Sequence, residues 1–218
     1  MKKISYNAKK YQFKEIIEKT LGIMDLSNIH IERSDLLPQE KLNFETETKT
    51  GFHDLFYSKL KSGWKEIENA YTEFIKNEIT KQIPGKFVFQ SFPSVRFHLP
   101  NDQAIHYWHY DSDKDHMHPE WEINFHLSLT NIKDPTQAMW VETVPGLKDF
   151  KPMIMSYGEY FVFNGNKCTH GNKTNKTNKT RVSFDFRILP IERYTTDGAK
   201  SSATKNRKFI VGDYYREL

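Results

Sequence analysis

Along the first third of the chain, apolar residues recur at helical spacing. In residues 9–22, Tyr11, Phe13, Ile16, Ile17 and Leu21 follow a period near 3.6, which predicts an amphipathic helix with Gly22 as its stop. A longer helix is predicted over 53–82, where Leu55, Leu60, Trp64, Ile67, Tyr71, Phe74, Ile75 and Ile79 form one stripe and Pro84-Gly85 ends it. Between the two, residues 26–50 carry few signals, and the polar run 43–50 reads as a loop.

After Gly85 the period falls to 2. Residues 86–90 and 94–99 predict strands; in the second, Val95 and Phe97 alternate with Arg96 and His98. In 121–130, Trp121, Ile123, Phe125, Leu127 and Leu129 share one face, and Glu122, Asn124, His126, Ser128 and Thr130 the other. The split recurs in 181–188, where Val182, Phe184, Phe186 and Ile188 oppose Arg181, Ser183, Asp185 and Arg187. Such strands pack the apolar face on helices or a second sheet and turn the titratable face to solvent or to a water-accessible pocket. An Arg/Ser/Asp/Arg face favours the pocket. Residues 153–156 and 160–163 flank a turn at Gly158, and Asn164-Gly165-Asn166 is turn chemistry. The tract 172–180 repeats Asn-Lys-Thr three times and reads as a polar loop; residues 191–206 are polar and expected to be mobile, whereas 209–215 regain apolar character and are expected to dock back. A helical third ahead of a strand-rich remainder predicts a mainly β fold with flanking helices.

Length and charge narrow the class. A chain of 218 residues fits a single domain, with a helical flank over 1–85, a β core over 86–190 and a tail over 191–218. The 32 Lys+Arg and 28 Asp+Glu give +4 with no dense basic block, which argues against a nucleic-acid partner. Cys168 is the only cysteine, so no internal disulfide forms and a reducing compartment is expected. No stretch has the length and apolarity of a membrane span, and the N-terminal residues lack an apolar signal core, so the expected location is cytoplasmic, without a membrane partner. Oligomeric state leaves no trace in the sequence.

Candidate chemistry centres on His109, Asp111, His170 and Arg181. Six of the nine histidines fall between His98 and His126. Among them His109 stands out because Asp111, two positions on, shares its face if the backbone is extended. His106 has no such partner, and His116 and His118 lie in a loop-like setting beside Asp115 and Pro119. A distal imidazole, His170, would complete a set of two His and one carboxylate that leaves coordination positions open, as in non-haem Fe(II) oxygenases. Eleven residues further on, Arg181 can grip a carboxylate bidentately, with Ser183 on the same face. Asn124, on the polar face of its strand, is a further candidate ligand to a cosubstrate, or a structural amide.

These residues sit in motifs with a family resemblance. Ser94-Val95-Arg96-Phe97-His98-Leu99-Pro100, Trp108-His109-Tyr110-Asp111, His118-Pro119-Glu120 with Glu122-Ile123-Asn124-Phe125, Trp140-Val141-Glu142, Phe163-Asn164-Gly165-Asn166, His170-Gly171-Asn172, Arg181-Val182-Ser183-Phe184-Asp185-Phe186-Arg187 and Gly212-Asp213-Tyr214-Tyr215 resemble the Fe(II)/2-oxoglutarate-dependent oxygenases of the phytanoyl-CoA hydroxylase-like superfamily. Within it they are most similar to the StrG-type proteins of streptomycin biosynthesis. The resemblance covers residues 94–218 and implies a double-stranded β-helix, or jelly-roll, core. It implies His109, Asp111 and His170 as iron ligands, Arg181 and Ser183 as the clamp on 2-oxoglutarate, and O₂ as co-reactant. The Asn-Lys-Thr repeat ahead of Arg181 departs from the pattern.

Arg96, His98, Glu122, His126, Trp140, Glu142, Asn164 and Asn166 would line or rim the pocket. That polar lining suits a small hydroxyl-rich substrate such as a sugar, sugar nucleotide or aminocyclitol in antibiotic or surface-polysaccharide biosynthesis. Two competing readings use the same residues: a metal-dependent cupin-like sugar isomerase or epimerase, and a non-catalytic carbohydrate-binding jelly roll. Arg181 paired with Ser183 favours the oxygenase over the first. Three convergent metal ligands favour it over the second.

Overall fold

The computed structural model describes residues 1–43, 45–47, 49–201 and 207–218. Its strands are β1 Lys2–Ser5, β2 Phe87–Gln90, β3 Ser94–His98, β4 Ile123–Ser128, β5 Met139–Val141, β6 Lys151–Pro152, β7 Glu159–Phe163, β8 His170–Asn172, β9 Arg181–Pro190 and β10 Tyr215–Arg216. The α-helices are α1 Ala8–Tyr11, α2 Phe13–Leu21, α3 Ile29–Glu32, α4 Gly51–Lys61 and α5 Lys65–Phe74.

Two antiparallel sheets carry the site. The larger has the order β1-β7-β4-β9-β2-β10, with β3 also on β9, and the smaller β6-β5-β8. His109 bridges His170 at the free edge of β8. From β3 onward the chain therefore passes between sheets: β3 large, His109 small, β4 large, β5 and β6 small, β7 large, β8 small, β9 large. This alternation is the strand order of a double-stranded β-helix.

The period-2 pattern sets which face is which. Phe125, Leu127, Val182, Phe184, Phe186 and Ile188 join the helices' Phe13, Phe52, Phe56, Tyr71 and Phe74 in one core. Phe184 meets Phe13 and Phe56 edge-on, with ring centroids 5.8 and 5.9 Å apart. Burying each such ring stabilises by roughly 1.5–3 kcal/mol, enough to fix the register, since a one-residue slip would turn every phenylalanine of β9 inward. The polar residues of β4 and β9 are thereby directed between the sheets. A second core joins Met139 and Val141 of the smaller sheet to Phe161 and Phe163 of β7, with Met153, Met155 and Cys168.

The helical flank is more broken than its periodicity predicts. The helix expected over 9–22 is α1 and α2, divided at Gln12, whose φ of 49° turns the chain while its N–H still caps Ala8 O. The helix expected over 53–82 is α4, then α5 running into a π-helical turn, Ile75–Ile79. Gly63, at φ 85°, makes the break, a conformation open to glycine at little cost. Both halves lie on the same sheet, so one stripe spans them. Gly22 ends α2 as expected, at φ 65°.

At the termini, β1 pairs with β7 from Lys2↔Val162 to Ser5↔Glu159. Its Lys-Lys-Ile-Ser sequence carries no alternation to announce an edge strand. Near the C-terminal end, β10 pairs with β2, Tyr215 lying opposite Gln90. In the 172–180 loop Asn175 is buried, donating to His98 O and Lys179 O at 3.1 and 2.8 Å. The middle repeat is thus a structural tie. Phe44 and Thr48 of the expected 43–50 loop, and 202–206 of the tract expected to be mobile, lie outside the described residues. Among the described residues, no helix is long and apolar enough to cross a membrane.

Candidate metal centre and the polar interior

His109 and His170 exchange main-chain hydrogen bonds, His109 N–H to His170 O at 3.1 Å and His170 N–H to His109 O at 2.8 Å. The pairing ends there. Asp111 enters a turn instead of continuing a strand, its N–H donating to Gly165 O at 2.9 Å and its carbonyl accepting from His118 N–H at 3.0 Å. The extended geometry expected for 109–111 is thus a single bridge followed by a turn, yet the side chains converge. His109 Nε2 and His170 Nε2 each lie 3.6 Å from Asp111 Oδ1, and the three atoms fall within 4.8 Å of one another.

Neighbouring groups aim these atoms. Asp111 Oδ2 accepts from Arg187 Nε at 2.8 Å and Asn124 Nδ2 at 2.6 Å. Oδ1, buried, has no hydrogen-bond partner among the described residues. His170 Nδ1 faces Cys168 O at 3.0 Å, so Nδ1 carries the proton and Nε2 presents a lone pair to the centre. Burial opposes ionisation of Asp111, but the Arg187 guanidinium first, and the neighbouring His109, override it and hold the carboxyl well below its usual range. Burial likewise draws His170 down to about 4, which keeps it neutral at neutral pH. His109 stacks on His116, with centroids 4.3 Å apart, and His116 is itself held by Asp113 and the Tyr107 hydroxyl, each at 2.7 Å. A bare carboxylate oxygen beside two imidazole nitrogens, that of His170 presenting a lone pair, is an unsatisfied buried arrangement that a divalent cation satisfies.

Two glycines let backbone come this close. A Cβ on Gly165 would meet Asn124 Cγ at 2.8 Å and Phe163 Cε2 at 2.6 Å, and one on Gly171 would meet Trp108 Cδ2 at 2.7 Å.

The inner face of β9 runs away from the centre in register with its neighbours. Arg187 is opposite Asn124, Asp185 opposite His126 and Ser183 opposite Ser128 on β4, while Ser94, Arg96 and His98 of β3 face Asp185, Ser183 and Arg181. Arg181 is 1% exposed; its Nη1 donates to Gln137 O at 2.7 Å. Its Nε, together with Ser183 Oγ and His126 Nε2, has no partner among the described residues. Burial lowers Arg181 to about 10, so it remains charged at neutral pH. Asp185 takes His126 Nδ1 at 2.5 Å and lies 3.6 Å from Arg96 Nε.

His98 is fully buried beside Arg181, its Nε2 2.9 Å from Asp102 O. Burial first, and the Arg181 charge second, push its pKa down to about 3. Below pH 6.5 the unfolded chain then binds a proton that the folded chain refuses, so stability falls as pH drops through that window. Between pH 6.5 and 4.5 this imidazole alone should remove up to about 2 kcal/mol. Urea melts of the wild type and His98→Gln at both pH values test this: the variant should lose less, and equal losses would exclude His98 as the source.

Other expected site residues divide into two groups. Glu122 stays near the centre, accepting from His118 Nδ1 at 2.7 Å and from the Tyr215 hydroxyl; Asp111, His118 and Glu122 form a second potential ligand set that shares Asp111. Asn166 donates to Pro119 O at 2.8 Å and keeps a buried Oδ1 without a partner among the described residues. Trp140 bonds Pro135 O at 2.9 Å under Lys173. Glu142 accepts the N–H groups of Gly146, Lys148 and Thr169, and Asn164 is exposed. These last three have partners in loops around the smaller sheet instead of in the triad. Asn124, a candidate cosubstrate ligand, gives its amide N–H to Asp111.

The contacts of Arg187 with Asp111 and of Tyr215 with Glu122 have no signature in the local sequence. Alternation along β9 puts Arg187 on the pocket face, but nothing local couples it to Asp111. Glu122 and Tyr215 are 93 positions apart.

No family model matches the chain. Among solved structures it is similar to the apo non-haem monooxygenase ThoJ (TM-score 0.48, 11% identity, 91% of this chain and 76% of that one). EctD from S. alaskensis with 2-oxoglutarate and 5-hydroxyectoine gives 0.45, 11%, 88% and 73%, and a Pseudomonas putida prolyl-4-hydroxylase 0.43, 11%, 87% and 91%. Along essentially its whole length the chain is similar to the streptomycin biosynthesis protein StrG of Streptomyces griseus, being 27% identical over 213 residues, 98% of this chain and 96% of that protein.

Proposed function

We propose that the protein is an Fe(II)- and 2-oxoglutarate-dependent oxygenase. The observation that carries this is Asp111 Oδ1, buried without a partner among the described residues and 3.6 Å from the Nε2 atoms of both His109 and His170. Those three residues would hold Fe(II). Bound there, the metal would activate O₂ while 2-oxoglutarate is oxidised to succinate and CO₂. Arg187 and Asn124 fix Asp111 so that it offers one oxygen and leaves coordination positions for other ligands.

Charge supports a dicarboxylate beside the metal. In the interior Arg96, Arg181 and Arg187 match Asp111, Asp185 and Glu122. A divalent ion adds two positive charges to that balance, and a dicarboxylate offsets them. Arg181 and Ser183, whose buried polar atoms Nε and Oγ lack partners among the described residues, would take the carboxylate far from the metal.

For the substrate, likeness to a streptomycin biosynthesis protein and the polar groups Glu122, Asn166 and Arg96 support a sugar, sugar nucleotide or aminocyclitol, in antibiotic or surface-polysaccharide biosynthesis. Each hydroxyl of such a compound can answer a polar wall group. The test is conversion of 2-oxoglutarate to succinate, alone and with a panel of these compounds. Succinate that requires both Fe(II) and O₂, and that rises with one class, supports the reading; none formed by metal-loaded protein with any of them would overturn it.

A further inference from the structure

Among the described residues, unpartnered buried polar atoms follow one another along the interior: Asp111 Oδ1 and Asn124 Oδ1 at the Arg187–Asn124 rung, His126 Nε2 at the next, then Ser183 Oγ, then Arg181 Nε. A metal accounts for Asp111, and the far carboxylate of a cosubstrate for Ser183 and Arg181. Neither accounts for His126. It is fully buried, its Nδ1 is held by Asp185, and Asp185 is steadied by Arg96. A buried ring nitrogen aimed into a polar interior without a partner calls for a ligand atom.

We infer that His126 is a further cosubstrate-binding residue, donating Nε2–H to the carboxylate of 2-oxoglutarate nearer the metal. The inference rests on the oxygenase reading above. Residues two apart on a strand are separated by about 6.7 Å, so the His126 and Ser183 rungs are spaced to the reach of a five-carbon dicarboxylate. With Nδ1 turned to Asp185, an N–H at Nε2 is the donor that a ligand carboxylate would accept. Asp185 acts by orienting the ring, and Arg96 by balancing Asp185.

Asparagine and glutamine separate the two ring nitrogens. His126→Asn keeps a donor for Asp185 and deletes the group at Nε2; His126→Gln places an amide nitrogen near Nε2. Anaerobic titrations measure Fe(II) affinity and then 2-oxoglutarate affinity on the iron-loaded protein. His126→Asn should leave Fe(II) affinity unchanged and weaken 2-oxoglutarate about 10-fold or more, with His126→Gln recovering most of the loss. Equal 2-oxoglutarate affinity in the wild type and His126→Asn overturns the assignment while leaving the oxygenase reading intact. Wild-type protein that binds Fe(II) but not 2-oxoglutarate overturns both. Should His126→Asn fail to fold, wild-type protein with ¹⁵N-labelled histidine and Zn(II) decides: 2-oxoglutarate should shift one Nε2 resonance that His126→Gln lacks, and no such shift overturns the assignment.

Discussion

Asp111→Ala should abolish Fe(II) binding in the micromolar range and lower stability by about 3–5 kcal/mol, the usual penalty for stranding a buried charge. The two effects have one origin. Oδ1 is the atom between the two imidazoles, and Oδ2 is the acceptor for Arg187 Nε at 2.8 Å and Asn124 Nδ2 at 2.6 Å. Arg187 is 9% exposed, so without Asp111 its guanidinium stays buried beside Glu122 and Tyr214 with no direct carboxylate. Equilibrium dialysis and denaturant melts read the two effects separately. Wild-type Fe(II) affinity in the variant would remove Asp111 from the centre. Unchanged stability would show that Arg187 finds another partner.

Arg181→Met should leave Fe(II) affinity unchanged and raise the KM for 2-oxoglutarate roughly 100-fold, as expected for loss of a bidentate charge-assisted contact of about 2.7 kcal/mol. Folding should tolerate the change, because the described hydrogen bond of this side chain is a single one, to Gln137 O, and a buried cation without a carboxylate contact is replaced by an apolar side chain at little cost. Arg181→Lys keeps the charge but not the planar fork, so it should recover only part of the affinity. Steady-state kinetics with varied 2-oxoglutarate decides the matter. A variant that loses Fe(II) binding as well would place Arg181 at the metal instead of at the far carboxylate.

The interior was legible where local pattern and tertiary packing agree. The phenylalanines of β9 must face the helices, so Arg181, Ser183, Asp185 and Arg187 can be assigned inward from alternation alone. His109, Asp111 and His170 were also found, although through an assumed continuous strand; a turn at Asp111, tied to Gly165 O, delivers the same convergence. The break at Gly63 was hidden because α4 and α5 bury their stripes against one sheet. β1 was hidden because an edge strand with one half-buried isoleucine needs no alternation. Contacts such as Arg187 with Asp111, 76 positions apart, depend on sheet register and leave no mark in local sequence. In the sequence Asn175 is one position of a polar loop, yet its carboxamide ties that loop to β3 at His98 O.

If His109, Asp111 and His170 hold an iron to which 2-oxoglutarate binds, an anaerobic difference spectrum, with Fe(II) and then 2-oxoglutarate added to the protein, reads it directly. A weak visible charge-transfer band is expected that requires both additions, is lost in His170→Ala and needs far more 2-oxoglutarate in Arg181→Ala. Fe(II) binding with no such band at saturating 2-oxoglutarate would contradict it and bring a metal-dependent isomerase or epimerase on the same three ligands to the front.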